Sequence, residues 1–300
     1  MRGGQDTGMA ALCTPGETRR ILEKYGISAR KKYGQNFLID GNVVRNIIAA
    51  AGIGRDDCVL EIGPGIGSMT TMLSEAAGQV VCVEIDESLK PVLADTLSGC
   101  DNVEIIWEDV LKVGLKDIRD RYNGGRPLKC VANLPYYVTT PILMQLLDEK
   151  GCFDSITVMV QKEVADRICA DPGSREYGAL TLAVNYSCRP QSVLNVSPNC
   201  FIPRPGVDST VLFLKAYDEP PVDADEKWLF AAIRASFNQR RKTLANGIVN
   251  GLTVDGKRIP VSRDCVNGIL EEIGLPAAVR GETLSLKEFA ALSEKLRESL

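Results

Sequence analysis

Cys58-Val-Leu-Glu-Ile-Gly-Pro-Gly-Ile-Gly67 decides the fold. Five strand-type residues run straight into a turn with glycine at 63, 65 and 67, and an apolar stretch of helical spacing (68–77) follows. Glycine at these positions lets the backbone turn sharply and approach a ligand without a Cβ in the way. The spacing is E-x-G-x-G-x-G and not G-x-G-x-x-G, which suits a nucleotide-type ligand without a pyrophosphate. Seventeen residues past Gly67 comes Glu84, with Asp86 two further on. An acid at that offset can accept both hydroxyls of a ribose.

Outward from this turn, β-rich runs alternate with helical stretches. The strands are expected at 58–62, 79–85, 103–107, 128–134, 155–160, 192–196 and 209–215, most of them continuously apolar, as strands buried on both faces should be. Helices are expected at 68–77, 88–97 and 141–150, the last started by Thr140 as cap and Pro141 in the first turn. Alternation of this kind means a parallel, doubly wound sheet. The last two strands follow each other with no clear helix between them, which suggests an antiparallel hairpin at one edge. An acidic Pro-Pro connector near 216–222 ends the pattern, and the remainder reads as helices only. The expected organisation is a flexible tail (1–15), an α/β catalytic domain (16–218) and a small all-α domain (222–300).

Composition narrows the chemistry. The chain has 300 residues, 45% hydrophobic and 25% charged, and no apolar run near the roughly 18 residues of a membrane span. No secretory signal is read at its start, so a cytoplasmic protein is expected. Histidine is absent, which excludes Ser-His-Asp and Cys-His nucleophilic catalysis and any His-ligated metal. The ten cysteines form no C-x-x-C pair and read as reduced thiols, and no metal site is expected. The net charge of −4 is segregated: residues 16–45 carry +4 and residues 234–258 carry +5, leaving −13 on the rest. Two basic patches on an acidic body suit a localised polyanion partner or, more blandly, solvated helix faces.

Three further stretches bear on function. Glu108-Asp109 ends the third strand, placed for an adenine amine. Asn133-Leu-Pro-Tyr136 follows the fourth strand, at the carboxyl edge where open α/β sheets bind ligands. The N6 lone pair of adenine is delocalised into its ring. The Asn133 side-chain oxygen and the Leu134 carbonyl can accept the N6 hydrogens and aim that lone pair at a methyl donor. Tyr136 would stack on a base that has left its helix. The proline-stiffened run 201–209 offers Phe201 as a second aromatic wall, or else as a core anchor. Arg240, Arg241 and Lys242 supply phosphate-contacting charge on the helical domain.

With these residues in hand, the chain resembles the ribosomal RNA adenine dimethyltransferase family, and within it the small-subunit (16S) branch. The likeness runs from about residue 16 to the end. It is carried by Lys32-Tyr-Gly-Gln-Asn-Phe-Leu38, Glu61-Ile-Gly-Pro-Gly-Ile-Gly67, Val83-Glu-Ile-Asp86, Glu108-Asp109, Asn133-Leu-Pro-Tyr136, and the runs 201–209 and 236–244. The resemblance implies a Rossmann-like class I sheet of seven strands, one antiparallel, and S-adenosylmethionine as methyl donor. It implies Asn36 and Leu38 at the donor's entrance, Gly63 against its methionine part, Gly65 in the same donor site, Glu84 on the ribose, Asp109 at the adenine amine and Asn133 between donor and target. Tyr136 and Phe201 are implied as the stacking pair. The implied partner is 16S RNA in the small ribosomal subunit, met by a monomer away from membranes. Alternatives are the macrolide-resistance branch acting on large-subunit RNA, a DNA amino-methyltransferase, and a non-catalytic assembly factor. Leu134 and the 236–244 run favour the small-subunit reading.

Overall fold

The computed structural model describes residues 10–28, 30, 34–239 and 241–300. Arg240, Lys31, Lys32 and residues 1–9 of the expected tail lie outside them. The chain divides into two compact units, residues up to 165 with 190–216, and residues 166–189 with 217–300.

The first unit begins with a short 3-10 turn (Ala10–Cys13) and continues through α1 (Pro15–Lys24), β1 (Phe37–Leu38), α2 (Gly41–Ala51) and β2 (Cys58–Ile62). Then come α3 (Ser68–Ala76), β3 (Gln79–Glu84), α4 (Lys90–Thr96), β4 (Val103–Trp107), α5 (Leu115–Asn123) and β5 (Leu128–Asn133). After α6 (Thr139–Asp148) and β6 (Phe153–Gln161), the chain passes through α7 (Lys162–Ile168) and α8 (Ala179–Ser187) to β7 (Cys188–Val196), β8 (Phe201–Ile202) and β9 (Ser209–Ala216). Seven strands form one sheet in the order β4-β3-β2-β5-β6-β9-β7. The pairs β2–β3, β2–β5, β3–β4 and β5–β6 are parallel, while β9 runs antiparallel to β6 from Ser155↔Lys215 to Gln161↔Ser209. Every residue of β2 is buried, which is why its sequence is unbroken apolar but for Glu61. The order reverses between β2 and β5, and a crevice at the carboxyl ends of those strands is where such sheets hold ligands.

Three expectations need correction here. Residues 10–15 are not a loose tail. Leu12 and Cys13 are buried, the Cys13 thiol donates to the Ser68 carbonyl (3.2 Å), and the Ser68 and Thr18 hydroxyls both donate to the Leu12 carbonyl. Thr140 does not start α6. Val138 stands at the cap position, and Thr139 Oγ1 donates to the Pro135 carbonyl at 3.0 Å, because the chain is already turning from Pro135 onward. A single boundary near 222 also misses residues 166–189, which belong with the later helices.

The second unit continues with α9 (Glu226–Phe237), α10 (Leu244–Gly251), β10 (Thr253–Val254), β11 (Lys257–Arg258), α11 (Arg263–Glu272) and α12 (Leu286–Ser299). Its core gathers Leu229, Ile233, Leu244, Ile248, Val266, Leu270, Phe289 and Leu292 with Leu182 and Tyr186 of α8. A Cβ at Gly247 would lie 2.9 Å from the Ala235 carbonyl oxygen, so glycine is what lets α10 approach α9 this closely. The unit is not wholly helical: β10 and β11 form a hairpin, and Asp255 (φ 49°) and Gly256 (φ 75°) have the two left-handed residues of a type I′ turn.

Candidate functional site

The strands β2, β3, β4 and β5 all end at one cavity of about 250 Å³. Gly63 and Gly65 line it after β2, Glu84 and Ile85 at the end of β3, Glu108 to Leu111 after β4, and Asn133 to Val138 at the end of β5. The segment Gly34-Gln-Asn-Phe37 and Ile142 of α6 complete the wall. Gly63 and Gly65 have φ of 72° and 60°, conformations that L side chains rarely adopt. A Cβ at Gly63 would meet nothing within 4 Å, so the turn leaves open space for a ligand there, whereas one at Gly65 would press on the Phe37 ring at 3.3 Å.

Glu84 is held by backbone donors. Its Oε1 accepts from the Asp86 amide (2.7 Å) and its Oε2 from the Gly65 amide (3.4 Å). Burial pushes its pKa up from 4.5 to about 7, although both amides oppose the rise. Glu61, fully buried in β2, is likewise raised to about 7 by burial. Asp86 has a different task from the one its position in sequence suggests. Its oxygens accept from Ser88 N and Oγ, from Gln35 Nε2 (3.0 Å) and from Arg30 Nη1 (3.1 Å). Burial would raise its pKa, but these donors and the Arg30 charge outweigh that and hold it below the ordinary value. Asp109 uses Oδ1 to accept from the Leu111 amide at 3.0 Å, capping a short 3-10 turn with one oxygen.

Asn133 closes β5 and donates its Nδ2 to the Asn36 carbonyl at 3.1 Å. Asn36 in turn donates its own amide to the Gly34 carbonyl at 3.0 Å. Leu134 is buried, and its amide donates to the Met159 carbonyl at 3.1 Å, which fixes the start of the turn on β6. The Tyr136 hydroxyl shares a 2.8 Å hydrogen bond with Ser209 Oγ of β9. Burial raises its pKa above the usual phenol value.

Two expected residues are not at the cavity. Phe201 is 3% exposed and packs with Leu38, Val43, Val44 and Met159 in the core, so its ring has no face to offer a base. Leu38 lies opposite Phe201 in the β1–β8 ladder and is buried with it. The cause is strand alternation: Phe37 takes the cavity side and Leu38 the core side. The reading of the sequence also passed over Gln35, Phe37, Ile85, Leu111 and Tyr137, which line the cavity. Gln35 and Phe37 stood in a motif already quoted, and Tyr137 follows Tyr136. Ile85 and Leu111 carry the weakest signal, an apolar residue directly after or near a strand-ending acid. Among the described residues no cluster of His, Cys, Asp and Glu can hold a metal ion.

The sheet order with one reversed strand, the glycine turn after its first central strand and the acids ending the next two define a class I S-adenosylmethionine-dependent methyltransferase. Within that class, residues 26–289 match the model of the ribosomal RNA adenine dimethylase family, and the chain belongs to it. It is 52% identical over 294 residues to ribosomal RNA small subunit methyltransferase A of Lachnoclostridium phytofermentans, covering 97% of this chain and 100% of that relative. It is 48% identical over 287 residues to the protein of the same name from Geobacillus thermodenitrificans, covering 95% and 97%. Among solved structures, a dimethyladenosine transferase from Plasmodium falciparum is similar with a TM-score of 0.73 at 26% identity, over 87% of this chain and 98% of that one.

Proposed function

We propose that the protein dimethylates the N6 amine of adenosine in small-subunit (16S) ribosomal RNA, taking its methyl groups from S-adenosylmethionine and acting as a cytoplasmic monomer during subunit maturation. The observation that carries this reading is the state of Asn133. Its Nδ2 is spent on the Asn36 carbonyl, so Oδ1 is the atom left to face a ligand in the cavity, and an acceptor is what the N6 hydrogens require.

The residues fit the donor. Gly63 leaves the space that a Cβ would take, and Glu84 presents a carboxylate whose two oxygens suit two ribose hydroxyls. Asp109 keeps Oδ2 for an adenine amine while Oδ1 holds its own turn. Ile85 and Leu111, 41% and 40% exposed, give apolar surface on the same wall. When bound, S-adenosylmethionine supplies an electrophilic methyl, so that an N–CH₃ bond forms as the S–CH₃ bond breaks and a thioether leaves. Asn133 Oδ1 and the Leu134 carbonyl would draw the N6 hydrogens to one side and turn the lone pair toward that methyl. Tyr136 would hold the flipped base by its ring face. The amine proton leaves after transfer, when the nitrogen is cationic, so no strong base is needed.

RNA contact is assigned to Arg241 and Lys242, exposed on the connector between α9 and α10, together with Arg240. Helical RNA is recognised mostly through shape and backbone, which suits a basic cluster carried on a separate unit. The deciding experiment incubates the protein and labelled donor with small subunits lacking adenine dimethylation. Nuclease digestion and mass spectrometry should then find N6,N6-dimethyladenosine in 16S RNA. Label only in large-subunit RNA, or none, overturns the reading.

A further inference from the structure

The 34–36 segment lies far in sequence from everything it serves, and three contacts place it. Gln35 Nε2 donates to Asp86 Oδ2 at 3.0 Å, and Gln35 Oε1 accepts from the Arg30 amide at 2.9 Å. Arg30 reaches the other oxygen of Asp86 with Nη1 at 3.1 Å. Asp86 is 2% exposed and is itself anchored on Ser88, so it is a fixed post to which the segment is tied. One residue further on, the Asn36 carbonyl accepts from Asn133 Nδ2. That bond favours the Asn133 oxygen as the end that faces the cavity, since rotating the amide by half a turn would oppose two carbonyl oxygens.

We propose that Gln35 and Asp86 are positioning residues for methyl transfer: by fixing residues 34–36 against the end of β3, they hold the Asn36 carbonyl where it orients the amide of Asn133. This rests on the acceptor role given to Asn133 above. Neither residue is placed against the reacting atoms. Asp86 does not line the cavity and both its oxygens already accept from protein donors, and Gln35 has both ends of its amide engaged. The carboxamide is the right group for the task, because it accepts from a backbone amide and donates to a carboxylate at once. Asp86 also supplies the backbone amide that holds Glu84 Oε1, so the post that secures the 34–36 segment secures the ribose-binding acid too.

The test uses the full-length protein, S-adenosylmethionine and undermethylated small subunits, with single-turnover rates measured at saturating donor and substrate. Detectable dimethylation by the unmodified protein comes first and stands or falls with the proposed function alone. Gln35→Ala should then slow transfer by about tenfold or more, since small misplacements of a catalytic group can cost as much as a hundredfold. The melting temperature without donor should stay near that of the unmodified protein. A residue acting through Asn133 has nothing to act on once Asn133 is gone, so in an Asn133→Ala background Gln35→Ala should have little further effect. Gln35→Glu sets two carboxylates against each other and should be at least as slow as Gln35→Ala. Adding Asp86→Asn lets the bond form in the reverse direction and should recover most of the rate. An unchanged rate in Gln35→Ala, an equal loss in the Asn133→Ala background, or no recovery in the reversed pair overturns the proposal.

Discussion

The turn after β2 and the segment before α2 line one cavity, yet they are held by opposite means. The turn is largely local: Gly63 and Gly65 take left-handed conformations, Gly67 closes on the Pro64 carbonyl at 2.9 Å, and β2, which leads into it, is buried throughout. The segment 34–38 has local bonds from Arg30 to Gln35 and from Asn36 to Gly34, but its place in the site is set by distant residues. It is tied to Asp86, to Asn133 and, through β1, to Phe201 of β8. A site whose walls differ in this way should fail in two distinct manners, one by losing ligand contacts and one by losing the framework that presents them.

Phe201 gives the largest separation between the two. With the ring buried opposite Leu38, Phe201→Ala should cost about 3–5 kcal/mol of stability, the range for deleting a buried aromatic. Urea denaturation measures this directly. Well below the melting temperature, capture of a fluorescent adenine analogue at the target position should be little altered. Normal stability with lost base capture would return Phe201 to the base wall and sink the core assignment. Asn133→Ala comes next. It leaves the framework standing and removes one preorganised acceptor, so turnover should fall by about a hundredfold or more at saturating substrates, with melting almost unchanged. A loss of less than threefold would remove Asn133 from the chemistry.

The contrast also explains what could be read from the sequence. Gly63, Gly65, Glu84 and Asn133 to Tyr136 were legible because each stands at the end of a largely buried strand, where apolar runs fix the strand and the next residues face the crevice; Asp109 was legible from its place after β4, although no residue of that strand is fully buried. The β1–β8 ladder was not. Its strands are two residues long, and pairing Phe37 with Ile202 spans more than half the chain, so no local periodicity announces it. Without the register, Phe37 and Leu38 cannot be assigned to cavity and core, and for Phe201 the residues favour an anchor while the family resemblance implies a wall. Asp86 was visible as an acid near the ribose, but its capture by Gln35 and Arg30 is a matter of tertiary contact. The hairpin at Asp255-Gly256 was legible and overlooked, since Asp-Gly is a strong type I′ signal.

Glu61 and Glu84 sharpen the comparison by about tenfold in affinity. Both carboxyls are raised by burial from 4.5 to about 7, but only Glu84 lines the cavity. A carboxyl protonated in the native protein and ionised in the unfolded chain makes stability fall as pH rises from about 4.5 to about 7. Donor affinity should run the other way, because two ribose hydroxyls need an ionised acceptor. Calorimetric titration from pH 8 down to pH 6 should therefore show S-adenosylmethionine binding weaken by about tenfold. Glu84→Gln should flatten that dependence at weak affinity, whereas Glu61→Gln should reduce the pH slope of stability and leave the binding slope in place. A flat binding profile for the unmodified protein would mean that Glu84 does not need its charge to hold the donor.

Tyr136 carries the smallest expected effect and tests where framework and ligand contact meet in one side chain. Its ring is assigned to the target base, while its hydroxyl is tied to Ser209 Oγ of β9 at 2.8 Å. Tyr136→Ala removes both, and the stacking loss alone is worth about 1–3 kcal/mol per base. Tyr136→Phe keeps the ring and cuts the tie, leaving the Ser209 hydroxyl fully buried without this partner, at a cost of about 1 kcal/mol or somewhat more. The melting temperature should drop by a few degrees, and RNA affinity should hold. Turnover should fall only a few-fold, because the ring face assigned to the base is kept. Adding Ser209→Ala removes the orphaned hydroxyl and should recover part of the lost stability without changing turnover further. If Tyr136→Phe, still folded, proved as inactive as Tyr136→Ala, the hydroxyl would be acting on the reaction itself and stacking would be the wrong account of this residue.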